Sequence, residues 1–321
     1  MNKSTKIISL ATKTLQTEAD SILGLIDKLD EGFVKSVQLI LQSKGRVVIT
    51  GIGKSANIAN KIVATLNSTG TPAIFMHAAD AIHGDLGNIQ KNDVVICISN
   101  SGNTPEIKVL TPFIKSLGNK IIAFAGNENS FLAKNADFFI NTSVEKEACP
   151  NNLAPTSSTT AQLAMGDAIA VCLLELRGFN ENDFAKFHPG GALGKQLYLK
   201  VEDLYPLNEK PAVNPNTSIK DLILEISSKR LGITAVIDHE NLIGIVTDGD
   251  LRRMLEKEVD FRGYSAKDIM TKNPITINAE ELAATALQLM ENRKITQLIV
   301  KNKDKYVGVI HLHDLVREGI M

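Results

Sequence analysis

Short apolar runs alternate with longer stretches of helical periodicity between residues 46 and 142. The apolar runs are residues 47–49, 73–76, 94–98, 121–124 and 138–140. Continuous runs of this length, separated by helices, are typical of strands buried on both faces of a parallel sheet. The pattern therefore predicts βαβ units, whose ligands bind at the carboxyl ends of the strands. Those ends lead into the segments 51–55, 99–104 and 143–150.

From residue 201 onward the chain contains two weaker copies of one pattern. Asp250 and Asp314 stand 64 residues apart, as do the triplets starting at Gly244 and Gly308. Further matches are Ile233-Thr234 with Ile295-Thr296 at a separation of 62, and Asp203 with Asp268 at 65. The first copy reads helix, strand, turn, strand, helix over 219–229, 235–237, 241, 242–246 and 250–255. The repeat predicts a duplicated α+β module, whose copies are joined by the charged segment 257–265.

Composition limits the partners that the chain can attract. With 35 Lys and Arg against 36 Asp and Glu, no basic field draws in nucleic acid or a membrane surface. The cysteines, Cys97, Cys149 and Cys172, are too few and too scattered for a disulfide framework or a C-x-x-C metal site. Residues 1–15 lack the features of a signal peptide, and no uncharged apolar run approaches the roughly 20 residues that cross a bilayer. We predict a soluble, cytoplasmic protein without nucleic-acid or membrane partners.

A glycine-containing turn at residues 50–56, Thr-Gly-Ile-Gly-Lys-Ser-Ala, follows the first predicted strand. Where a strand turns into a helix, backbone amides and the helix N-terminus form an anion site. A Walker A loop would need a glycine at Val48, which argues against a nucleoside triphosphatase. The shorter G-x-G-x-x-A pattern fits a dinucleotide site only if Asp80 supplies the acid. A tight turn with a solvated Lys54 is the simpler alternative.

Two further turns are rich in hydroxyl groups. Segment 99–104, Ser-Asn-Ser-Gly-Asn-Thr, ends at a predicted helix start, where hydroxyls, amides and the helix dipole favour a phosphate. Capping of that helix by Ser101 or Thr104 is the structural alternative. The cluster 156–160, Thr-Ser-Ser-Thr-Thr, opens a helical stretch that ends near Arg177, and it is placed to line the same site.

Four ionisable residues lie in turns beside these segments: His83, Glu106, Glu147 and His188. Isomerising an aldose and a ketose needs one group that opens a cyclic sugar and another that moves a proton between C1 and C2 through an enediolate. Imidazole and carboxylate groups suit those tasks, although each residue alone is more often a surface or capping group. Metal ligation by His83, Asp85 and His188 has no close H-x₃-H or C-x-x-C spacing to support it, and we predict no metal site.

Six motifs occur in a fixed order along the chain. They are Gly-Ile-Gly-Lys-Ser at 51–55, Ala-Ile-His-Gly-Asp-Leu-Gly at 81–87, Ser-Asn-Ser-Gly at 99–102, Lys-Glu-Ala-Cys-Pro at 146–150, Leu-Ala-Pro-Thr-Ser-Ser-Thr-Thr at 153–160 and His-Pro-Gly-Gly-Ala-Leu-Gly at 188–194. Over nearly its whole length the chain resembles the arabinose-5-phosphate isomerase family, in which a sugar isomerase (SIS) domain precedes two cystathionine-β-synthase (CBS) repeats.

The resemblance implies a fold and an activity. The fold is an α/β, three-layer parallel-sheet SIS domain over residues 1–200, followed by a tandem α+β module with CBS repeats at 201–259 and 266–321. The activity is interconversion of D-ribulose 5-phosphate and D-arabinose 5-phosphate, which supplies the Kdo sugar of Gram-negative lipopolysaccharide. No cofactor is required. SIS sites are commonly completed by a neighbouring subunit, so the resemblance also implies a homo-oligomer, expected to be a tetramer.

Residue roles follow from the same resemblance. It implies the reactive residues Lys54, His83, Glu106, Glu147 and His188, and the substrate- and phosphate-binding residues Gly53, Ser55, Ser99, Ser101, Thr104, Thr156 and Ser157. Arabinose 5-phosphate closes as a furanose whereas ribulose 5-phosphate stays open, so either His188 or His83 would open the ring. Glu147, with Glu106 as its rival, would shuttle the proton, and Lys54 would stabilise negative charge.

The repeats imply a regulatory ligand. Residues 244–250, Gly-Ile-Val-Thr-Asp-Gly-Asp, are similar to the CBS element in which a hydroxyl and an aspartate grip a nucleotide, so Thr247 and Asp250 are the candidates. The second copy has His311 at the hydroxyl position and keeps Asp314, which predicts an altered or empty site. A regulatory nucleotide or nucleotide-sugar is the implied ligand, and a purely structural dimerisation module is the alternative.

Two other functions fit the same motifs. A phosphosugar-sensing regulator would bind the ligand without turnover, but no helix-turn-helix or basic patch accompanies the predicted SIS domain. A different sugar-phosphate isomerase, or a lyase, would use the same carboxylates. Conversion of ribulose 5-phosphate to arabinose 5-phosphate distinguishes these alternatives from the implied activity.

Overall fold

The computed structural model describes residues 2–256 and 261–320, and the chain forms two compact units, residues 1–184 and 185–321. Of the predicted joining segment 257–265, residues 257–260 lie outside the described residues. Residues 185–200 belong with the second unit, where the Ala283 N–H donates to the Leu199 carbonyl oxygen at 2.8 Å. The predicted domain limits, 1–200, 201–259 and 266–321, stay predictions.

The first unit is a parallel sheet with helices on both faces, which confirms the three-layer α/β prediction. Its strands are β1 (Val47–Gly51), β2 (Ala73–His77), β3 (Val94–Ile98), β4 (Lys120–Ala125) and β5 (Phe138–Asn141). Its helices are α1 (Lys3–Leu23), α2 (Glu31–Gln42), α3 (Lys54–Ser68), α4 (Ala78–Ala81), α5 (Pro105–Ser116), α6 (Phe131–Asn135) and α7 (Ser157–Leu176), with short 3₁₀ helices at Ile26–Lys28 and Asp85–Asn88; α8 (Glu181–Phe187) follows across the division.

Both faces of this sheet are buried because successive strand residues enter different cores. Val47 and Ile49 of β1 pack in one hydrophobic cluster, with residues of α3 and α7. Val48 packs in the other, with residues of α5. Alternate side chains of a strand point to opposite faces, so a strand that is covered on both sides must be apolar throughout. This is why the strands read as continuous apolar runs.

The sheet order is β2-β1-β3-β4-β5, with all strands parallel. Val47 of β1 lies opposite Ala73 on one side and Val94 on the other. The winding direction therefore reverses between β1 and β3. In doubly wound sheets the crevice at the carboxyl ends of such a pair binds the ligand. The turns after β1 and β3 are the two that the sequence predicts to bind an anion.

Helix α7 is apolar and 20 residues long, and an 18-residue window of it has a mean hydropathy of 1.3, which meets the length and composition of a membrane span. It nevertheless serves the core of the first unit, because one stripe of its side chains is buried under the sheet. The stripe consists of Ala161, Met165, Ile169 and Leu173. Asp167 lies in the middle of the helix and pairs with Lys61 of α3 at 2.6 Å.

The second unit contains two small sheets, with strand orders β6-β7-β8-β9 and β10-β11-β12. The strands are β6 (Ala212–Val213), β7 (Ile233–Asp238), β8 (Asn241–Thr247), β9 (Thr271–Lys272), β10 (Thr276–Asn278), β11 (Gln297–Asn302) and β12 (Lys305–His311). The helices are α9 (Ala192–Tyr198), α10 (Ile219–Lys229), α11 (Asp248–Glu256), α12 (Ala266–Ile269), α13 (Ala283–Arg293) and α14 (Leu312–Arg317), with 3₁₀ helices at Val201–Asp203, Tyr205–Leu207 and Phe261–Gly263. This confirms the predicted α+β module.

The duplication is regular over the strands and helices that follow residue 212. Helices α10 and α13, strands β7 and β11, and strands β8 and β12 all start 64 residues apart. The predicted match of Ile233-Thr234 with Ile295-Thr296 at 62 residues is therefore wrong. Ile233 is equivalent to Gln297, because the equivalent hairpins pair Ile233 with Thr247 and Gln297 with His311. The dipeptide Ile-Thr occurs at both places, and this coincidence led to the wrong register.

Candidate active site at the carboxyl ends of strands β1 and β3

A cavity of about 280 Å³ lies where strands β1 and β3 end. Three separate segments of the chain line it: Ile52, Lys54 and Ser55 after β1; Ile98, Ser99, Asn100, Ser101 and Thr104 after β3; and Pro155, Ser158 and Thr159 at the start of α7. The structure thus brings together the three hydroxyl-bearing turns. A larger hollow of about 550 Å³ lies at the opposite edge of the sheet, next to residues 91–94 and 117–120.

Three helices begin at this cavity. Helix α3 starts at Lys54, α5 at Pro105 and α7 at Ser157, and the first turn or N-cap of each contributes to the wall. None of the three is capped by the side chain of its own N-cap residue. Backbone N–H groups in first helical turns lack partners within the helix, and the helix dipole adds positive potential there. These helix starts give the cavity the positive potential that an anion site needs.

The loop after β3 is held in shape by its own hydroxyl groups. The Ser99 and Thr104 hydroxyls are hydrogen-bonded at 2.7 Å, and the Gly102 N–H donates to Ser99 Oγ at 3.1 Å. Thr104 occupies the N-cap position, yet its hydroxyl bonds to Ser99, so the capping alternative is wrong for its side chain. Gly102 has φ +63°, and a Cβ there would clash with the Ser130 side chain. Only glycine fits this close approach.

The cluster 156–160 divides between the cavity and the core. Ser158 and Thr159 line the cavity, whereas Ser157, which the sequence predicts to bind substrate, is fully buried and is absent from the cavity wall. Successive residues of a helix point about 100° apart, so neighbouring hydroxyls cannot all face one site. The sequence prediction also missed Asn100, although Asn100 lies between two predicted serines.

Ser55 extends from the first turn of α3 towards α7. Its hydroxyl donates to Gln162 Oε1 at 3.3 Å. Gln162 is fully buried, and it is a polar residue in an otherwise apolar stretch of α7. That isolated amide, four residues beyond Ser158, is the sequence signal that could have indicated a buried polar contact here.

Glu147 is bound by the start of α7. Its Oε2 accepts hydrogen bonds from the Thr156 N–H at 2.7 Å, the Thr156 hydroxyl at 3.1 Å and the Ser158 N–H at 3.2 Å. Partial burial opposes ionisation, but the hydrogen bonds from Ser158 and Thr156 outweigh it and lower the pKa of Glu147 below its usual value. A carboxylate is therefore ready as a base at neutral pH, beside the cavity wall that Ser158 forms.

Thr156 orients its hydroxyl towards this carboxylate. Its Oγ1 accepts a hydrogen bond from the Ala148 N–H at 2.9 Å, which leaves the hydroxyl hydrogen for Glu147. We expect a Thr156→Val variant to raise the pKa of Glu147, because one stabilising donor is lost. The acid limb of the kcat/KM profile, which reports ionisations of the free enzyme, should then move to higher pH. A profile measured from acid to neutral pH checks this.

Thr160 supplies the matched control for that experiment. Its hydroxyl contacts Glu18 of α1 at 3.2 Å and not Glu147, so a Thr160→Val variant removes the same atom elsewhere on the same helix. Its acid limb should coincide with that of the unmodified protein. An acid limb in Thr156→Val that stays with the control, or moves to lower pH, contradicts the assignment of the limb to Glu147.

Lys54 is the first residue of α3 and lines the cavity. Its side chain is exposed and forms no ion pair with any residue that the structure describes. A cation at the positive end of a helix dipole is unfavourable unless an anion binds beside it. The position of Lys54 therefore fits the charge-stabilising role that the family resemblance implies.

Glu106 and His83 lie at the same edge of the sheet but outside the cavity wall. Glu106 is in the first turn of α5, and its Oε2 is buried and finds no hydrogen-bond partner among the described residues. His83 follows α4, is exposed, and donates its backbone N–H to the Asp80 carbonyl oxygen. Asp80, the acid that a dinucleotide site would need, approaches His77 at 3.5 Å.

His188 belongs to the second unit, directly after α8. Its backbone N–H donates to the Ala185 carbonyl oxygen at 3.1 Å, and its own carbonyl accepts from the Gly191 N–H at 3.1 Å. Its predicted reactive role stays a prediction. Across residues 2–256 and 261–320, no group of three or more His, Cys, Asp or Glu side chains is arranged to hold a metal ion.

The regulatory candidates Thr247 and Asp250 contact each other. Asp250 Oδ2 accepts from the Thr247 N–H at 2.9 Å and from its hydroxyl at 2.7 Å, while Arg253 pairs with Oδ1. Burial of Asp250 opposes its ionisation, but the bonds from Thr247 and Arg253 prevail and lower its pKa. The Thr271 hydroxyl also donates to Oδ1 at 3.2 Å, so residues of both predicted repeats satisfy the carboxylate. The Thr247–Asp250 contact also fixes the start of α11.

Asp314 repeats this arrangement with different partners. Its Oδ2 accepts from the His311 N–H at 2.9 Å and from Asn208 Nδ2 at 2.6 Å, and Arg317 lies 3.3 Å from Oδ1. The hydrogen bond from the backbone N–H is present in both repeats. The hydrogen bond that the Thr247 hydroxyl donates has no counterpart, because His311 has no hydroxyl. The difference between the repeats that the sequence predicts is thus visible in the contacts of their aspartates.

Comparison with known proteins identifies two kinds of domain. Residues 39–172 match the SIS domain family, and residues 201–257 and 266–320 match the CBS domain family. Among curated proteins, Arabinose 5-phosphate isomerase KdsD of Pseudomonas aeruginosa is 49% identical over 324 residues, covering 100% of this chain and 99% of that protein. The KdsD proteins of Francisella tularensis and of Escherichia coli K12 are 49% and 45% identical, over 98% and 96% of this chain and 97% and 95% of their own lengths.

Two solved structures resemble part of the chain. One is the Escherichia coli CFT073 protein c3406 in complex with arabinose 5-phosphate, at 41% identity and a TM-score of 0.57, covering 59% of this chain and 100% of the solved one. The other is a putative sugar-phosphate isomerase from Listeria monocytogenes, at 38% identity and a TM-score of 0.57, covering 59% and 99%.

Proposed function

Because the chain belongs to the arabinose 5-phosphate isomerase family, we propose that it interconverts D-ribulose 5-phosphate and D-arabinose 5-phosphate at the cavity between β1 and β3. The observation that carries this proposal is the convergence of the starts of α3, α5 and α7 on one cavity with hydroxyl-bearing walls. A sugar phosphate supplies the dianion that such a site binds.

The phosphate is held by the turns, and the first two carbons of the sugar lie beside the carboxylates. Starting from the ketose, a carboxylate removes a proton from C1 to give an enediolate and returns a proton to C2, while the O1 proton moves to O2. Anchored through Oε2, Glu147 presents its other oxygen for this transfer. Lys54 stabilises the negative charge of the enediolate.

Glu106 is the second carboxylate of the proposed site. Its buried Oε2, which has no partner among the residues that the structure describes, needs a hydrogen-bond donor, and a substrate hydroxyl supplies one. Ring opening of arabinose 5-phosphate is assigned to His83 or His188, as the family resemblance implies. In this scheme the protein requires no cofactor.

Incubation of the purified full chain with ribulose 5-phosphate tests the function directly. We expect arabinose 5-phosphate to form, together with exchange of the transferred hydrogen with solvent water. Binding of ribulose 5-phosphate without any product would instead indicate a phosphosugar sensor, which the full-length similarity to named isomerases does not favour. Formation of a different sugar phosphate would indicate a related isomerase or a lyase.

We also propose that the CBS repeats bind a regulatory nucleotide or nucleotide-sugar at Thr247 and Asp250, with Asp314 marking the altered second site. The support is the match of both repeats to the CBS family and the equivalent positions of the two aspartates. Titration calorimetry with adenine and cytidine nucleotides, including a cytidine nucleotide-sugar, should show binding to the full chain. If none binds, the repeats are a structural module.

The enzyme is proposed to work in the cytoplasm as a homotetramer, supplying arabinose 5-phosphate for synthesis of the Kdo sugar of lipopolysaccharide. Helix α1 supports self-association because it leaves large apolar side chains exposed, among them Ile7, Ile8, Leu15 and Leu23. Light scattering should give a mass four times that of the 34.8 kDa chain. A monomeric mass would remove this part of the proposal.

A further inference from the structure

Gln162 is a buried polar residue that the proposed reaction does not use. It lies on α7 next to Ser55, the residue that contributes a hydroxyl to the cavity wall from the first turn of α3. Its Oε1 accepts the Ser55 hydroxyl hydrogen, while its Nε2 has no acceptor among the residues that the structure describes. A buried amide N–H without a partner is unfavourable, which favours an arrangement of these two side chains in which Nε2 donates.

The present direction of the Ser55 hydrogen bond does not suit an anion. A hydroxyl has a single hydrogen to donate. While Ser55 gives that hydrogen to Gln162, it shows only lone pairs to the cavity, and phosphate oxygens in a dianion are acceptors alone. Ser55 Oγ and a bound phosphate oxygen would therefore face each other as two acceptors, with no hydrogen between them.

We propose that Gln162 is a positioning residue that sets the direction of the Ser55 hydroxyl. When phosphate enters, the amide of Gln162 turns over, so that Nε2 donates to Ser55 Oγ and the Ser55 hydrogen points to a phosphate oxygen. The two ends of an amide have nearly the same shape, so the turn requires no repacking. The turn pairs one of the two Nε2 hydrogens and leaves the carbonyl oxygen unpaired, and proteins tolerate an unpaired carbonyl oxygen more readily than an unpaired N–H.

This inference rests on the proposed function, because it requires a phosphate group in the cavity. It also explains why an amide, rather than an aliphatic side chain, lies in the interior of α7 at this position. Neither an aliphatic residue nor a carboxylate could donate to Ser55 while accepting nothing from it.

A double-variant cycle on the full chain tests the inference. The variants are Ser55→Ala, Gln162→Met and the two combined, since methionine fills similar space without an N–H donor. Each single variant should raise KM for ribulose 5-phosphate about tenfold and change kcat less than about threefold. The combined variant should raise KM by no more than the larger single effect, because both residues act through one hydrogen bond.

Several outcomes would overturn the inference. If the combined variant raised KM about hundredfold, the product of the two single effects, the residues would act separately. An unchanged KM in Gln162→Met would show that the amide is not needed. If methionine disturbs folding, Gln162→Glu is the second variant, because it keeps the shape of the side chain. This variant should bind ribulose 5-phosphate more weakly than the unmodified protein. Equally tight binding would overturn the inference.

Failure of this inference differs from failure of the proposed function. If the unmodified protein does not convert ribulose 5-phosphate, the proposed function fails. Calorimetry then measures the affinity of the unmodified protein, the two single variants and the combined variant for inorganic phosphate. Weaker phosphate binding with the same non-additive pattern supports the role of Gln162, and an additive pattern rejects it. If the unmodified protein converts the sugar but the cycle is additive, only the inference fails.

Discussion

Replacing Glu147 with glutamine is expected to lower kcat for ribulose 5-phosphate by about 10²–10⁴-fold, as for the loss of a proton-transferring group. The amide keeps the shape of the side chain and can still accept the Thr156 and Ser158 N–H groups through its oxygen. It cannot take a proton from carbon. KM should therefore change little, and steady-state kinetics of arabinose 5-phosphate formation separate the two parameters.

Glu145 provides the matched control for this variant. It is an exposed glutamate in the same loop, two residues earlier, and it lies outside the cavity wall. Glu145→Gln should retain the kcat of the unmodified protein. A Glu147→Gln variant with undiminished kcat, together with a large loss in Glu106→Gln, would transfer the proton-shuttling role to Glu106.

Replacing Lys54 with methionine is expected to lower kcat/KM by about 10²–10³-fold, on the scale found when a charge-stabilising group is removed from an active site. The ammonium group stands at the start of α3, where the helix dipole disfavours a cation without a bound anion. Its removal should therefore leave the fold intact or slightly stabilised while binding and enediolate formation suffer. Initial rates at subsaturating ribulose 5-phosphate, with thermal unfolding of the same samples, measure both effects.

A lysine at the opposite edge of the sheet serves as the control. Lys91 is exposed in the turn before β3, beside the larger hollow, and Lys91→Met removes the same charge far from the carboxyl ends of the strands. Its kcat/KM should stay within about twofold. Equal losses in the Lys54 and Lys91 variants would mean that net charge, and not the position of Lys54, controls the rate.

Much of the first unit could be predicted because its signals are local. Buried parallel strands appear as apolar runs, and the run at residues 94–98 matches β3 (Val94–Ile98) residue for residue. The loop after β3 is equally predictable, since its serine, glycine and threonine residues occupy neighbouring positions after a strand end. The repeat was found from its anchors at Asp250 and Asp314, whereas the match at Ile295 failed because a dipeptide is too short to define a register.

The site depended more on contacts between distant segments. Glu147 and Thr156 lie in the same irregular stretch. The sequence does not reveal that Glu147 Oε2 accepts three hydrogen bonds from Thr156 and Ser158 at the start of α7. The sequence also assigned Ser157 to the substrate, whereas Ser158 and Thr159 form the wall. Packing against α3 sets the rotation of α7 about its axis, and this rotation decides which hydroxyls face the cavity.

The amino-acid sequence by itself determined the order of strands and helices, the duplicated module, the family and the hydroxyl-bearing turns at the strand ends. These properties depend on residue types at neighbouring positions or on long, matched strings. Only the tertiary structure decided that three helix starts share one cavity, that hydrogen bonds hold the Glu147 carboxylate and lower its pKa, and that Gln162 contacts Ser55. Those properties depend on distances between side chains as many as 107 positions apart in the chain, which folding sets through the packing of whole elements.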